Sequence, residues 1–173
     1  MTAMVSESYR YVGPPELKAV VRPDRGGCRI SSAEEFASWV ERSATELGEP
    51  FTFVVDLDCV LHLAPRRSEH VACAGGEAVL GAGEISFTCE AGRWGVGDVS
   101  NQSTGYCPDV GSWAAVAEAL DRAGLSRPPG FTHEVVFRRC PGCQQHNIVR
   151  EDDFFCVFCG SDLPETWNVD PSS

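Results

Sequence analysis

From Ser32 onward, apolar side chains recur at helical spacing: Phe36, Trp39, Val40, Ala44 and Leu47 share one face. Ser32 with Glu35 three residues on reads as a capping box, and Gly48 and Pro50 stop the helix. The pattern then changes to strands. Residues 51–55 (Phe-Thr-Phe-Val-Val) and 60–63 flank Asp56-Leu57-Asp58, which reads as a hairpin turn. A second hairpin pairs 84–88 with 94–99 across Glu90-Ala91-Gly92. Another helix is predicted from about Ser112, burying Trp113, Val116, Ala117 and Leu120 and ending at Gly124. Pro128-Pro129-Gly130 break the chain, and 131–138 alternates like a strand. The first thirty residues, rich in Pro and Gly, predict mostly irregular structure with a short strand at 17–21. This order gives an α+β fold: a mainly antiparallel sheet with two helices.

The C-terminal quarter carries a second signal. Cys140-Pro141-Gly142-Cys143 and Cys156-Val157-Phe158-Cys159 are two CxxC pairs with 12 residues between them. Tetrahedral zinc takes four thiolates at about 2.3 Å, and two intervening residues let one tight turn aim both sulfurs at one ion. Pro141 and Gly142 suit the first turn, and Gly160 suits a left-handed residue after the second. The gap fits one small hairpin, read as strands at 147–149 and 154–155 around Glu151-Asp152-Asp153. The motif therefore predicts a four-cysteine zinc ribbon with Cys140, Cys143, Cys156 and Cys159 as ligands and Zn2+ as cofactor. Iron uses the same ligand set, and His146 is an alternative fifth ligand. Four unligated core cysteines are the remaining reading.

Charge and composition narrow the function. The 173 residues carry a net charge of −11, and four thiolates on one dication add about −2 more. Nucleic-acid binding rests on Lys and Arg against phosphates, so this charge opposes it. The ribbon is not basic either: Arg138, Arg139 and Arg150 face Glu151, Asp152, Asp153, Asp162 and Glu165. No stretch approaches the roughly 20 apolar residues of a membrane helix, and the N-terminus shows no secretory signal. The expected compartment is the cytoplasm. There Cys28, Cys59, Cys73, Cys89 and Cys107 stay reduced, as small core residues by default.

Two segments fit neither helix nor strand: 65–76, running on to Gly81-Ala82-Gly83-Glu84, and 100–108. Long loops of this kind are commonly functional, and each follows a strand, so both can open at one edge of the sheet. The first offers Arg66, Arg67, His70, Cys73, Gly75 and Gly76; the second offers Asn101, Ser103, Thr104 and Tyr106. All of these except Cys73 are the candidate ligand-binding residues for a polar small molecule. His70, Glu84, Ser103 and Tyr106 are the candidate catalytic groups. Cys73 as nucleophile with His70 as base is one option, and a buried thiol beside a structural histidine is the other. A second option sets Ser103, Thr104 and Glu84 on a ribose, with Arg66 or Arg67 on a phosphate. Solvated arginines and hydroxyl-bonded loops are the plain alternatives. His62 and His133 read as ordinary strand positions.

His70, Gly75-Gly76, Ala82-Gly83-Glu84, Asn101, Ser103, Tyr106 and Pro108 form a pattern over about 40 residues. It resembles a segment shared by toxin-associated bacterial proteins and plant IQ-motif calmodulin-binding proteins. The chain departs from it at Thr104-Gly105, where Gly-His is the expected pair, and it has no IQ motif, so calmodulin binding does not carry over. As a whole the chain is similar to small actinobacterial zinc-ribbon proteins. The resemblance implies that the two loops form one site and implies no reaction.

The resulting expectation is an α+β domain over 1–130 with a ligand pocket, a zinc ribbon over 131–166 and a flexible tail over 167–173. Its function is binding of a polar small molecule or a protein partner, with the ribbon structural. An enzyme acting on a nucleotide or ADP-ribose-like ligand and a nucleic-acid-binding ribbon are the alternatives.

Overall fold

The run at 51–55 is strand β2 (Phe51–Val55), buried along its whole length, and the fold is layered around it. The computed structural model describes residues 8–22, 26–43 and 48–169. β2 pairs with β3 (Leu61–Ala64) as a hairpin, and on its other side with β4 (Gly81–Glu90). β1 (Cys28–Ile30) lies outside β3, and β5 (Arg93–Val99) outside β4. The order is β1-β3-β2-β4-β5, with all neighbours antiparallel. Asp56 holds the first hairpin: its Oδ1 accepts from the Asp58 and Val60 N–H groups, and its other oxygen lies 2.7 Å from His62 Nε2. At the second, Ala91 and Gly92 have φ of 52° and 79°, the type I′ geometry that matches strand twist.

Side chains alternate along β2, so Phe51, Phe53 and Val55 face one way and Val54 the other. The first face packs under α2 (Ala33–Arg42) and α4 (Trp113–Arg122), with Phe36, Trp39, Val116 and Leu120 in one apolar cluster. Each fully buried aliphatic side chain there contributes about 1.5–3 kcal/mol. Ser32 caps α2 by accepting from the Glu35 N–H at 3.1 Å. The Glu35 carboxylate turns back to the Ser31 N–H and hydroxyl, so the box closes one residue earlier than its usual form. α2 ends at its cap Ser43, whose N–H reaches Trp39 O and Val40 O, short of the stop expected at Gly48 and Pro50; Ala44 and Leu47 lie outside the described residues. α4 ends at Gly124 (φ 73°), where Gly124 N–H reaches Asp121 O and Leu125 N–H reaches Leu120 O, a Schellman stop. Trp113 is only half-buried, against Phe131.

The opposite face carries Tyr9, Val54, Val71, Cys73, Val79, Ala82 and Tyr106, with α3 (His70–Cys73) laid across it. Two expectations are corrected on this side. Residues 17–21 are not a strand; the chain there forms the short α1 (Pro15–Ala19), which Pro15 opens with its φ already helical. The stretch from 65 to 84 is not irregular throughout, because it contains α3 and the start of β4. Gly81 and Gly83 sit in β4 because neighbours press on it: a Cβ on Gly81 would lie 2.7 Å from Val116, and one on Gly83 would strike the Ser100 carbonyl.

Past residue 130, Thr132 bonds back to Val99, and β6 (Val136–Arg139) then pairs with β7 (His146–Val149) across the first CxxC turn. Phe154 and Phe155, expected as a strand beside 147–149, form none. Glu151 and Asp152 both have positive φ and turn the chain tightly, and Phe155 makes an isolated bridge to Asp162. Residues 167–169 are not a loose tail. Val169 is buried with Cys107 and Phe137, Trp167 Nε1–H donates to Cys107 O at 2.7 Å, and Asn168 bonds the Arg139 backbone. Residues 170–173 lie outside the description.

Candidate functional site

The two CxxC turns are built alike. In the first, Cys140 N–H bonds Gln145 O, Gln144 N–H bonds Cys140 O, and the Gly142 and Cys143 N–H groups point at Cys140 Sγ at 3.3 and 3.4 Å. In the second, Cys156 N–H bonds Ser161 O, Gly160 N–H bonds Cys156 O, and Phe158 N–H points at Cys156 Sγ at 3.4 Å. Each turn closes on a left-handed residue, Gln144 (φ 68°) and Gly160 (φ 79°). Gly160 was legible as such; Gln144 was not, because nothing in a glutamine announces positive φ.

The turns bring the sulfurs of Cys140, Cys143, Cys156 and Cys159 within 4.8 Å of one another. Cys140–Cys159 and Cys143–Cys156 are each 3.5 Å apart. A tetrahedral ion with bonds of about 2.3 Å needs sulfur–sulfur edges of about 3.8 Å, so the cluster can hold a metal with little movement. Donors around it favour thiolates. Asn147 Nδ2 lies 3.5 Å from Cys156 Sγ, and Ser161 Oγ lies 3.2 Å from Cys159 Sγ. Burial opposes ionisation of Cys156, but Asn147 and the Cys159 and Phe158 N–H groups outweigh it and bring that thiol down to about 6. At Cys143 a Gln145 N–H pulls downward, yet burial and hydrogen bonding with the other three thiols hold it up at about 12. Such competition is what a bound cation removes, since coordination ionises all the ligands together. His146 stands on β7 outside this cluster.

No protein-family model, curated protein or solved structure matches the chain. The reading of its sites therefore rests on geometry.

The sequence's loop residues divide into two groups. Arg66, Arg67, His70, Glu84, Ser103 and Thr104 line one cleft of about 290 Å³, on the face opposite α2 and α4. Ser68, Glu69 and Gln102, from the same two segments, also line it, and Thr52 is brought there by the register of β2 against β4, opposite Glu84. Ser103 Oγ is buried with no hydrogen-bond partner among the described residues. Arg66 lies 3.6 Å from Glu49, and Arg67 takes a left-handed φ of 72°. His70 is fully engaged. Its Nδ1 accepts the Thr104 N–H at 3.2 Å, its Nε2 lies 2.9 Å from Gly83 O, and Thr104 Oγ1 donates to Glu69. Burial pushes the His70 pKa below the ordinary histidine value, although Gly83 O, Glu84 and Glu69 pull it upward. His70 thus braces the 100–108 loop to β4 as a neutral ring, rather than standing free as a base.

Gly75, Gly76, Asn101 and Tyr106 do not line the cleft. Gly75 and Gly76 end α3 in a second Schellman stop, with N–H bonds to Ala72 O and Val71 O. Asn101 is fully buried; its Nδ2 donates to Pro108 O and Val135 O, and its Oδ1 accepts the Val135 N–H at 2.6 Å. Tyr106 is buried, its hydroxyl donates to Glu77 O at 2.6 Å, and burial pushes its pKa upward. Cys73 faces His62 O, not His70, and burial drives its pKa to about 12; burial does the same to Cys107. The His70–Cys73 nucleophile pair is not assembled.

Proposed function

We propose that this is a cytoplasmic zinc-binding protein whose α+β body binds a polar small molecule, with a metal-organised zinc ribbon over 131–166 packed against the body. The observation that carries the reading is the set of four cysteine sulfurs within 4.8 Å. Thiolates are soft ligands and four of them suit zinc, which is held without redox chemistry. Zinc supplies four rigid bonds and charge neutralisation here, in a closed site with no position open to substrate. Its thiolates remain reduced in the cytoplasm. Among the described residues no helix is long and apolar enough to cross a membrane.

The cleft supports the small-molecule part. It is lined by two arginines, four hydroxyl side chains and two glutamates, and Ser103 Oγ has hydrogen-bonding capacity still to spend. Its volume sits at the lower edge of the roughly 300–1,000 Å³ typical of ligand pockets. Thermal unfolding with a panel of nucleotides, sugar phosphates and amino acids tests it. A ligand present at about 100 times its Kd stabilises by about 2.7 kcal/mol, several degrees in Tm. The shift is expected to vanish in Ser103→Ala; no shift across the panel contradicts the cleft as a binding site. A nucleotide hit followed by turnover favours the enzymatic alternative, with Arg66 or Arg67 on the phosphate.

A further inference from the structure

Beyond the cleft, the ribbon carries an unexplained apolar face. Five large hydrophobic side chains stand most exposed among the described residues, and three of them fall in four consecutive positions: Phe155 at 57 %, Val157 at 78 % and Phe158 at 64 %. Together with Ile148 they flank a groove of about 740 Å³ between β7 and the second CxxC turn. Monomeric proteins scatter such residues singly, and a contiguous patch marks an interaction site. The turn's own chemistry does not call for them, because a metal knuckle needs only the cysteines and the following left-handed residue; Pro141-Gly142 serve in the equivalent places of the first turn. Among the described residues β7 pairs only with β6, which leaves its other edge for an added strand. The outer edge of β6, by contrast, is taken by Asn168, which bonds both Arg139 N and Arg139 O.

The rim of the groove says what fits. Arg150 and Asp153 line it; Glu151 and Asp152, exposed in the turn between them, and exposed Asp162, bridged to Phe155, make the neighbouring surface acidic. The other two ribbon arginines keep their charge but direct their donors to neutral groups of the C-terminal segment itself. Arg138 is buried, donating to Pro164 O and Glu165 O beside the Phe154 ring, and Arg139 donates to Gln144. A net charge of −11 adds long-range attraction for a basic partner and opposes a second copy of this chain.

We infer that this face of the ribbon docks an extended segment of a protein partner in which apolar residues alternate with lysine or arginine. The apolar side chains enter between Phe155, Val157 and Phe158, the segment's backbone lies along β7, and its cations meet the acidic rim. The inference rests on the metal-organised ribbon and is independent of the cleft.

Fluorescence anisotropy with the full chain tests it, using short labelled peptides that alternate Lys with Leu, Lys with Ser, or Glu with Leu. The Lys/Leu peptide is expected to bind at least about tenfold more tightly than either control, and more weakly as salt screens the rim. Phe155→Ser with Phe158→Ser is expected to weaken it by about tenfold or more while one metal per chain is retained. Val157→Lys, at the most exposed position, gives the same loss if the double variant fails to keep its metal. Equal binding by metal-loaded variants, or equal binding of the Glu/Leu peptide, overturns the proposal. So does a concentration-dependent dimer in sedimentation that Val157→Lys dissolves, which would assign the face to a second copy. Loss of metal from the unmodified protein would instead strike the ribbon itself, and is measured separately.

Discussion

His70 changes meaning when its partners are known. As a histidine in a loop rich in arginine and glycine it is a candidate base, yet in the fold Thr104 and Gly83 occupy both ring nitrogens. Burial lowers its pKa, so the folded chain binds fewer protons than the unfolded chain just below the ordinary histidine value. Its contribution to stability is therefore complete above about pH 6.5 and is lost as the pH falls from there through the folded-state value. Chemical denaturation at pH 7.5 and pH 5.5 should show this loss in the native protein and a smaller loss in His70→Gln. That variant starts about 1–3 kcal/mol less stable at neutral pH, for its unsatisfied partners. An equal pH dependence in both proteins would contradict the buried neutral ring. Legibility at this scale follows range. The four cysteines were readable because ligand spacing is local. Asn101 and Tyr106 were not, because their partners Val135 and Glu77 lie about 30 positions away.

Among the elements, the two body hairpins and the two long helices were readable because period, caps and turn residues agree within each segment. The Gly81-Ala82-Gly83 stretch misled for a physical reason: these glycines answer to Val116 and Ser100, distant neighbours that no local pattern discloses. The partner of β7 misled too, since a CxxC turn serves equally as the loop of a hairpin and as its flank. That hairpin predicts its own dependence on the ion. With β6 and β7 only four residues each, a two-stranded unit of this size is marginal alone. Cys143→Ser should release the metal and collapse the amide dispersion of residues 136–163 in a heteronuclear NMR spectrum. Resonances of β2, β3 and β4 should persist, because their core is formed by α2 and α4. A fully dispersed ribbon in metal-free Cys143→Ser would show that the strands hold without the ion.

At the scale of the whole molecule, body and ribbon are joined by more than a linker. Cys107, Phe137 and Val169 form a cluster between them, Tyr9 packs edge-on against Trp167 at 5.2 Å, and Asn101 ties the 100–108 loop to Val135. The polar cleft lies on the body's face opposite α2 and α4, and the acidic apolar groove lies on the ribbon. Each can be altered without touching the other. The groove presupposes that the tail of the chain is shaped by an ion; the cleft, built wholly from body residues, does not. Zinc-edge X-ray absorption on protein purified under reducing conditions measures this directly. One zinc per chain with four sulfur neighbours at about 2.3 Å is the expected result. A metal-free protein with an ordered ribbon, or a shell dominated by nitrogen and oxygen, would contradict it.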